Sequence, residues 1–351
     1  MAIVSRKTVM TGLAVSGAAT AAAAVGSVLV ARALWNSMRL EDFTGRRVLI
    51  TGGTRGLGLA LSEEFVRLGC RVAVCARDED EVRRALTLLQ RSGAQVFGAA
   101  CDVSKQDEVN SFVARVNDIF GPVDVLVNNA GVIQVGPLES QTIEDFREAM
   151  DIMFYGQVYF TLAVLPQMRQ RGRGNIANIS SIGGKIAVPH LLPYSAAKFA
   201  SAGFSEGLTA EVAKDGIRVT TVCPGLMRTG SYQNAWFKGD NEKEYAWFSL
   251  GAALPITAID AHRAARSIVR AIRRGQVEIV LSLPAKLAAF VHGVAPGTTV
   301  RLLSLTNRLM PGTGSRSKER FRGYDSESSI TRSPLTALGR KAVKRLNQKP
   351  A

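Results

Sequence analysis

The sequence predicts an α/β protein with a single doubly wound parallel sheet and helices on both faces, extended by an N-terminal transmembrane helix and a C-terminal helical extension. Three observations carry this. Apolar Val48, Leu49 and Ile50 run into Thr51, Gly52, Gly53, Thr54, Arg55, Gly56, Leu57 and Gly58, then into Leu59, Ala60, Leu61 and Phe65 at helical spacing, the order strand, tight loop, helix. Short apolar runs then alternate with longer polar-faced ones, the pattern of a parallel sheet covered on both sides. Residues 8–31 carry no charge and are rich in alanine, glycine and valine; as a helix they would reach roughly 36 Å at about 1.5 Å per residue, enough to cross a bilayer.

The glycine loop is the first element that suggests chemistry. Glycines let the backbone approach a pyrophosphate, and the N–H groups that open the next helix face the anion. The spacing Gly52, Gly56, Gly58 departs from G-x-G-x-x-G but can do the same work, which makes the sheet Rossmann-like; the plain alternative is a strand-to-helix turn. Strands are expected at Arg71–Ala76, Ala94–Ala99 and Val123–Val127, with helices at Asp80–Gln90 and Lys105–Phe120. The second strand ends at Arg77 with no acid to bind the two ribose hydroxyls of NAD. Arg77 and Arg55 instead offer guanidinium groups to a 2′-phosphate, so NADP(H) is preferred and NAD(H) is possible, unless both arginines merely solvate loops. Asp102 and Val103 end the third strand, where a carboxylate can meet an adenine amino group or cap the following helix.

At 351 residues and 46% hydrophobic, the chain has material for one large core plus appendages rather than two domains. Cys70, Cys75, Cys101 and Cys223 have no metal-like or paired spacing, so no metal is expected and reduced, buried thiols are. The N-terminal run exceeds the h-region of a signal peptide, which favours an uncleaved anchor over a cleaved signal. Arg32, Arg39, Arg46 and Arg47 set against Arg6 and Lys7 favour a cytoplasmic catalytic domain on a membrane-anchored protein.

The fourth strand delivers Asn128, Asn129, Ala130 and Gly131, followed by Asn178 to Ser181, by Tyr194-Ser-Ala-Ala-Lys198, and by Pro224, Gly225 and Thr229. In order and spacing this resembles the short-chain dehydrogenase/reductase family over roughly residues 44–282. Tyr194 and Lys198, four apart, share a helix face. A phenol of ordinary pKa about 10 is a poor proton donor at neutral pH, and a nearby ammonium brings it toward the working range. The resemblance implies Tyr194 as acid/base, Lys198 as its tuner and ribose ligand, and Ser181 as hydrogen-bond donor to the substrate oxygen. It also implies that Asn128, Ala130 and Gly131 line the cofactor, that Pro224 and Gly225 flank the nicotinamide, and that Thr229 holds its carboxamide.

One departure is Met153, which stands where the family usually carries a catalytic asparagine. A thioether cannot donate a hydrogen bond, so either other groups or backbone carbonyls rebuild the proton relay, or the chain is a cofactor-binding scaffold or redox sensor. The segment from Leu226 to Ala261, with Trp236, Phe237, Tyr245, Trp247 and Phe248, is expected to be a mobile apolar lid over a lipophilic carbonyl or alcohol. Domain limits follow: 1–40 anchor, 41–282 catalytic domain, 283–312 apolar helical extension, 313–351 tail. The formal charge of +15 is concentrated in that tail, which carries ten Lys or Arg against three acids and reads as disordered. A membrane surface suits it better than nucleic acid. The resemblance leaves a homo-oligomer open.

Overall fold

The computed structural model describes residues 40–348 except 92, 315–317 and 330. The expected transmembrane helix falls in residues 1–39, outside the described residues; among the described residues no helix is long and apolar enough to cross a membrane.

The chain alternates as its sequence does. β1 (Arg47–Thr51), α1 (Gly56–Arg67), β2 (Arg71–Ala76), α2 (Glu79–Gln90), β3 (Val96–Ala100), α3 (Gln106–Phe120) and β4 (Val125–Asn128) form the first half. The short β5 (Gln134–Val135) leads to α4 (Ile143–Met150), one π-helical turn (Asp151–Tyr155) and α5 (Gly156–Arg171). Then come β6 (Gly174–Ile179), α6 (Leu192–Val212), β7 (Ile217–Pro224), β8 (Met227–Arg228), β9 (Trp236–Phe237), α7 (Asn241–Ala253), β10 (Ile259–Asp260), α8 (Ala261–Arg274) and β11 (Glu278–Leu281). Seven strands make one parallel sheet in the order β11-β7-β6-β4-β1-β2-β3.

Burial on both faces explains why β1 reads as a continuous apolar run rather than an alternation. Val48 and Ile50 join Phe65, Ile268 and Ile272 on one face, while Leu49 and Leu126 join Phe112, Phe160 and Val164 on the other. Asp78 caps α2 by accepting the Glu81 N–H at 2.8 Å, and Asp260 caps α8 in the same way. Strand order reverses between β1 and β4, which opens a crevice at the carboxyl ends of the strands.

Two expectations need correction. The aromatic segment is not an open lid: Tyr232, Phe237, Tyr245 and Phe248 pack with Val135, Leu191 and Val343 in a core of their own. Tyr245 meets Tyr232 and Phe237 edge-on at 5.8 and 5.3 Å, and Gln233 donates to its hydroxyl at 2.6 Å. His190 backs this core, its Nδ1 2.6 Å from Glu244, both buried. Nor is the tail a solvated coil over its described residues. After α9 (Leu283–Val294) and α10 (Pro296–Asn307), β12 (Phe321–Arg322) pairs antiparallel with β9, and α11 (Ala337–Arg345) packs on α7. Composition concealed this because the docking contacts are few and specific. Arg320 reaches the fully buried Asp145 at 2.5 Å and Glu148 at 2.9 Å, and Val343 and Leu346 bury one apolar edge of an otherwise basic helix.

Candidate active site

The crevice is floored by the glycine loop. Gly52 turns at φ +60 and Gly56 at φ +55, and a Cβ at Gly58 would strike the Gly52 carbonyl, so the loop tolerates no side chain where strand becomes helix. No side chain caps α1 at Arg55, which leaves the helix start, with Leu57 and Gly58, lining the cleft. Thr54, Arg77, Asp102, Val103, Ala130, Gly131, Pro224, Gly225 and Thr229 line it too, together with Ser181, Tyr194 and Lys198.

Thr51 and Asn128, expected to line the cofactor, lie beneath the cleft and brace it. Thr51 Oγ1 accepts the N–H groups of Asn129 and Ala130 at 2.9 and 3.0 Å, and Asn128 donates to Asn178 at 2.9 Å. Arg55 is in the cleft but is held by Glu81 at 2.6 Å, which also bonds Thr54. The Asp102 carboxylate accepts from the Ser104 N–H and hydroxyl at 3.0 and 2.7 Å; it holds a turn and does not cap α3, which starts from Lys105 without a side-chain cap.

At the other end of the cleft, α6 opens with Pro193 and presents Tyr194 and Lys198 one turn apart. Gly183 makes the approach possible, since a Cβ there would stand 3.1 Å from the Tyr194 ring. Ser181 Oγ accepts the Gly183 N–H at 3.0 Å and acts on the Tyr194 phenol, whose pKa it lowers. Lys198 Nζ lies 5.8 Å from the Tyr194 ring centre and donates to the Ile179 carbonyl at 2.6 Å. Burial drives both titrations. It raises the Tyr194 phenol, against the opposing influence of Ser181, and it lowers the Lys198 ammonium to about 8. The phenol is therefore not brought down by the lysine as its spacing predicts, because desolvation is the larger effect. Met153 is buried on the π-helical turn beneath Gly131, its sulfur 3.5 Å from where a Gly131 Cβ would stand. Gln157, one turn further, is occupied with Ser201 at 2.7 Å.

Sequence reasoning missed three contributors. Glu81 gave no signal beyond its place in the first turn of α2. Gln348 lines the cleft from the far end of the chain, donating to the Thr229 carbonyl at 2.9 Å, while the Leu346 carbonyl takes the Gly56 N–H at 2.9 Å. Arg322 lines the cleft as well, with Cζ 3.5 Å from the centre of the Trp236 ring and Nη1 donating to the Asn234 carbonyl at 2.7 Å. Burial lowers its pKa, and the positive charges of Arg55 and Arg77 lower it further.

A cleft with a phosphate cradle at one end and a Ser-Tyr-Lys group at the other defines a dinucleotide-dependent oxidoreductase. A sequence model of the family described as short chain dehydrogenase matches residues 46–238, and the chain belongs to that family. It is 36% identical over 256 residues to the dehydrogenase/reductase SDR family protein 7-like of Anopheles gambiae, covering 71% of this chain and 79% of that one. Among solved structures, a short-chain dehydrogenase from Streptomyces avermitilis is 32% identical with a TM-score of 0.65, over 76% of this chain and 98% of that one. A variant of actinorhodin polyketide ketoreductase with NADPH is 33% identical with a TM-score of 0.59, over 68% and 95%.

Proposed function

We propose that this protein is an NADP(H)-preferring oxidoreductase acting on the carbonyl or secondary alcohol of a lipophilic substrate. The observation that carries the reading is the meeting of Ser181, Tyr194 and Lys198 at one end of a cleft whose other end holds the glycine loop and Arg77. The residues fit a nicotinamide dinucleotide. Leu57 and Gly58 at the uncapped start of α1 offer N–H groups to the pyrophosphate, and Arg77, with Arg55 braced by Glu81, faces the 2′-phosphate. Asp102 and Val103 border the adenine, while Ala130, Gly131, Pro224, Gly225 and Thr229 flank the rest. NADPH in the related ketoreductase structure supports the same preference.

When bound, the nicotinamide supplies or accepts the hydride. In the reduction direction Ser181 Oγ donates a hydrogen bond to the substrate oxygen, where negative charge grows. Tyr194 gives that oxygen its proton, and the Lys198 ammonium steadies the phenolate left behind. The Ile179 carbonyl accepts from Lys198 at 2.6 Å and holds its ammonium in place, and the Met153 thioether offers no hydrogen-bond donor where the family usually has an asparagine. Val132, Ile133, Ile152, Met227 and Ala235 give the cleft apolar walls, which suit a greasy substrate. An N-terminal anchor within residues 1–40 would tether the domain to a membrane.

The test is fluorescence titration of the detergent-solubilised protein with NADPH and NADH, followed by loss of reduced-nicotinamide absorbance against a panel of lipophilic ketones and aldehydes. Tighter NADPH binding with turnover is expected. The buried thioether at Met153 favours a second reading, a scaffold or redox sensor; tight NADPH binding without turnover across the panel, unchanged in Met153→Asn, would select it.

A further inference from the structure

The hairpin formed by α9 and α10 is held unlike the rest of the protein. Each helix has twelve residues, about 18 Å, too short to cross a bilayer. Of the two, only Ala285 is buried. Leu283, Phe290 and Leu309 are 79%, 69% and 89% exposed, and Leu287, Val294 and Leu305 are more than half exposed. α9 is apolar around most of its circumference and belongs in an apolar surrounding, while α10 adds exposed Val300, Leu302 and Leu305 among polar residues; exposed apolar surface of this kind marks an interaction site.

Charge selects the partner. From residue 279 to residue 318 the sequence has no Asp or Glu, while Lys286, Arg301, Arg308, Arg316 and Lys318 are basic. A second copy of the chain meeting this face across a two-fold axis would bring cations onto cations. A phospholipid surface meets both properties at once, because apolar side chains enter the acyl boundary and lysines and arginines reach anionic headgroups.

The hairpin also roots beside the cleft. A methyl at Gly225, a cleft-lining residue, would stand 2.7 Å from Ser282 Oγ and 3.1 Å from Ala285 Cβ. We infer that α9 and α10 form an interfacial docking hairpin that seats the Gly225 side of the cleft on an anionic lipid bilayer. The seating itself does not depend on the proposed activity; only its use in bringing substrate from lipid to the cleft rests on that reading.

The test uses the full chain with a polarity-sensitive fluorophore attached at Phe290→Cys, since all four native cysteines are buried. The control carries the label at Thr87→Cys on α2, which packs on β2 and β3 at the opposite edge of the sheet. Mixed phosphatidylcholine/phosphatidylserine vesicles should shift the Phe290-site emission to the blue, and nitroxide-labelled lipid should quench it. Pure phosphatidylcholine should do so at least several-fold more weakly, and the control should not respond. Arg301→Glu with Arg308→Glu should abolish the preference for anionic vesicles. Several results overturn the inference: no shift with any vesicle, an equal shift with neutral and anionic vesicles, or an emission already blue without lipid. A lipid-free blue emission that deepens with protein concentration would assign the face to a second copy, and one independent of concentration to another segment of this chain. NADPH titration of the same labelled protein keeps a failure here distinct from a failure of the proposed function.

Discussion

Lys198 is the most consequential single residue, because burial sets its titration. Its ammonium sits at about 8 in the fold against 10.5 for an unburied lysine. Between those values the unfolded chain binds more protons than the folded one, so stability rises with pH across that window; below about 8 the full cost of burying the charge is present. Lys198→Met should flatten this slope in denaturant titrations run from pH 7 to pH 10, and an unchanged slope would mean the ammonium is solvated. At the phosphate end, Arg77→Gln should weaken NADPH by about tenfold and leave NADH unchanged. Arg322→Gln removes a third cleft-lining guanidinium, one that feels the charges of Arg55 and Arg77, and should also weaken NADPH by on the order of tenfold; isothermal titration of each variant with NADPH and NADH checks both. The structure brings Tyr194, Lys198 and Ser181 to the cleft lining; Tyr194 and Lys198 were legible as one helix face from their spacing of four, and Ser181 through the family resemblance. Arg322 was not, since it reaches the cleft only through the pairing of β12 with β9, and a two-residue strand in a basic tail leaves no periodicity to read.

At the scale of elements, the alternating strands and helices from β1 to β4 were readable because their apolar residues recur with strand or helix spacing; the two-residue β8, β9 and β10 carry no such pattern. Boundaries moved by a residue or two, as at β3 and β4, where turns rather than periodicity set the ends. The aromatic segment and the tail were misread for one reason: each contributes part of a core whose other part is distant in sequence. Tyr232 and Phe237 need Val343 from α11, and Leu346 joins the core beside α1 and α8. Leu346→Ala should therefore lower Tm by several degrees, consistent with a loss of about 2–5 kcal/mol on emptying a buried leucine site. A melting curve identical to that of the parent protein would mean the segment is solvated.

At the scale of the whole molecule, one sheet brings two groups of residues to one crevice. β1 and β2 carry the glycine loop and Arg77 to it; β6, with α6, carries Ser181, Tyr194 and Lys198; and the segment beyond β11 adds Arg322 and Gln348 to its lining. Topology made the first two predictable, because a doubly wound sheet puts its loops at the carboxyl edge whatever their sequence. Substrate identity was not readable, since the apolar wall from Val132 to Ala235 restricts size and polarity without naming a molecule. The most direct measurement compares the parent protein with Tyr194→Phe, recording NADPH affinity and turnover of a lipophilic ketone on the same samples. Affinity should be unchanged and turnover lost by at least about a thousandfold. Turnover retained in the Tyr194→Phe protein would rule out Tyr194 as the acid/base.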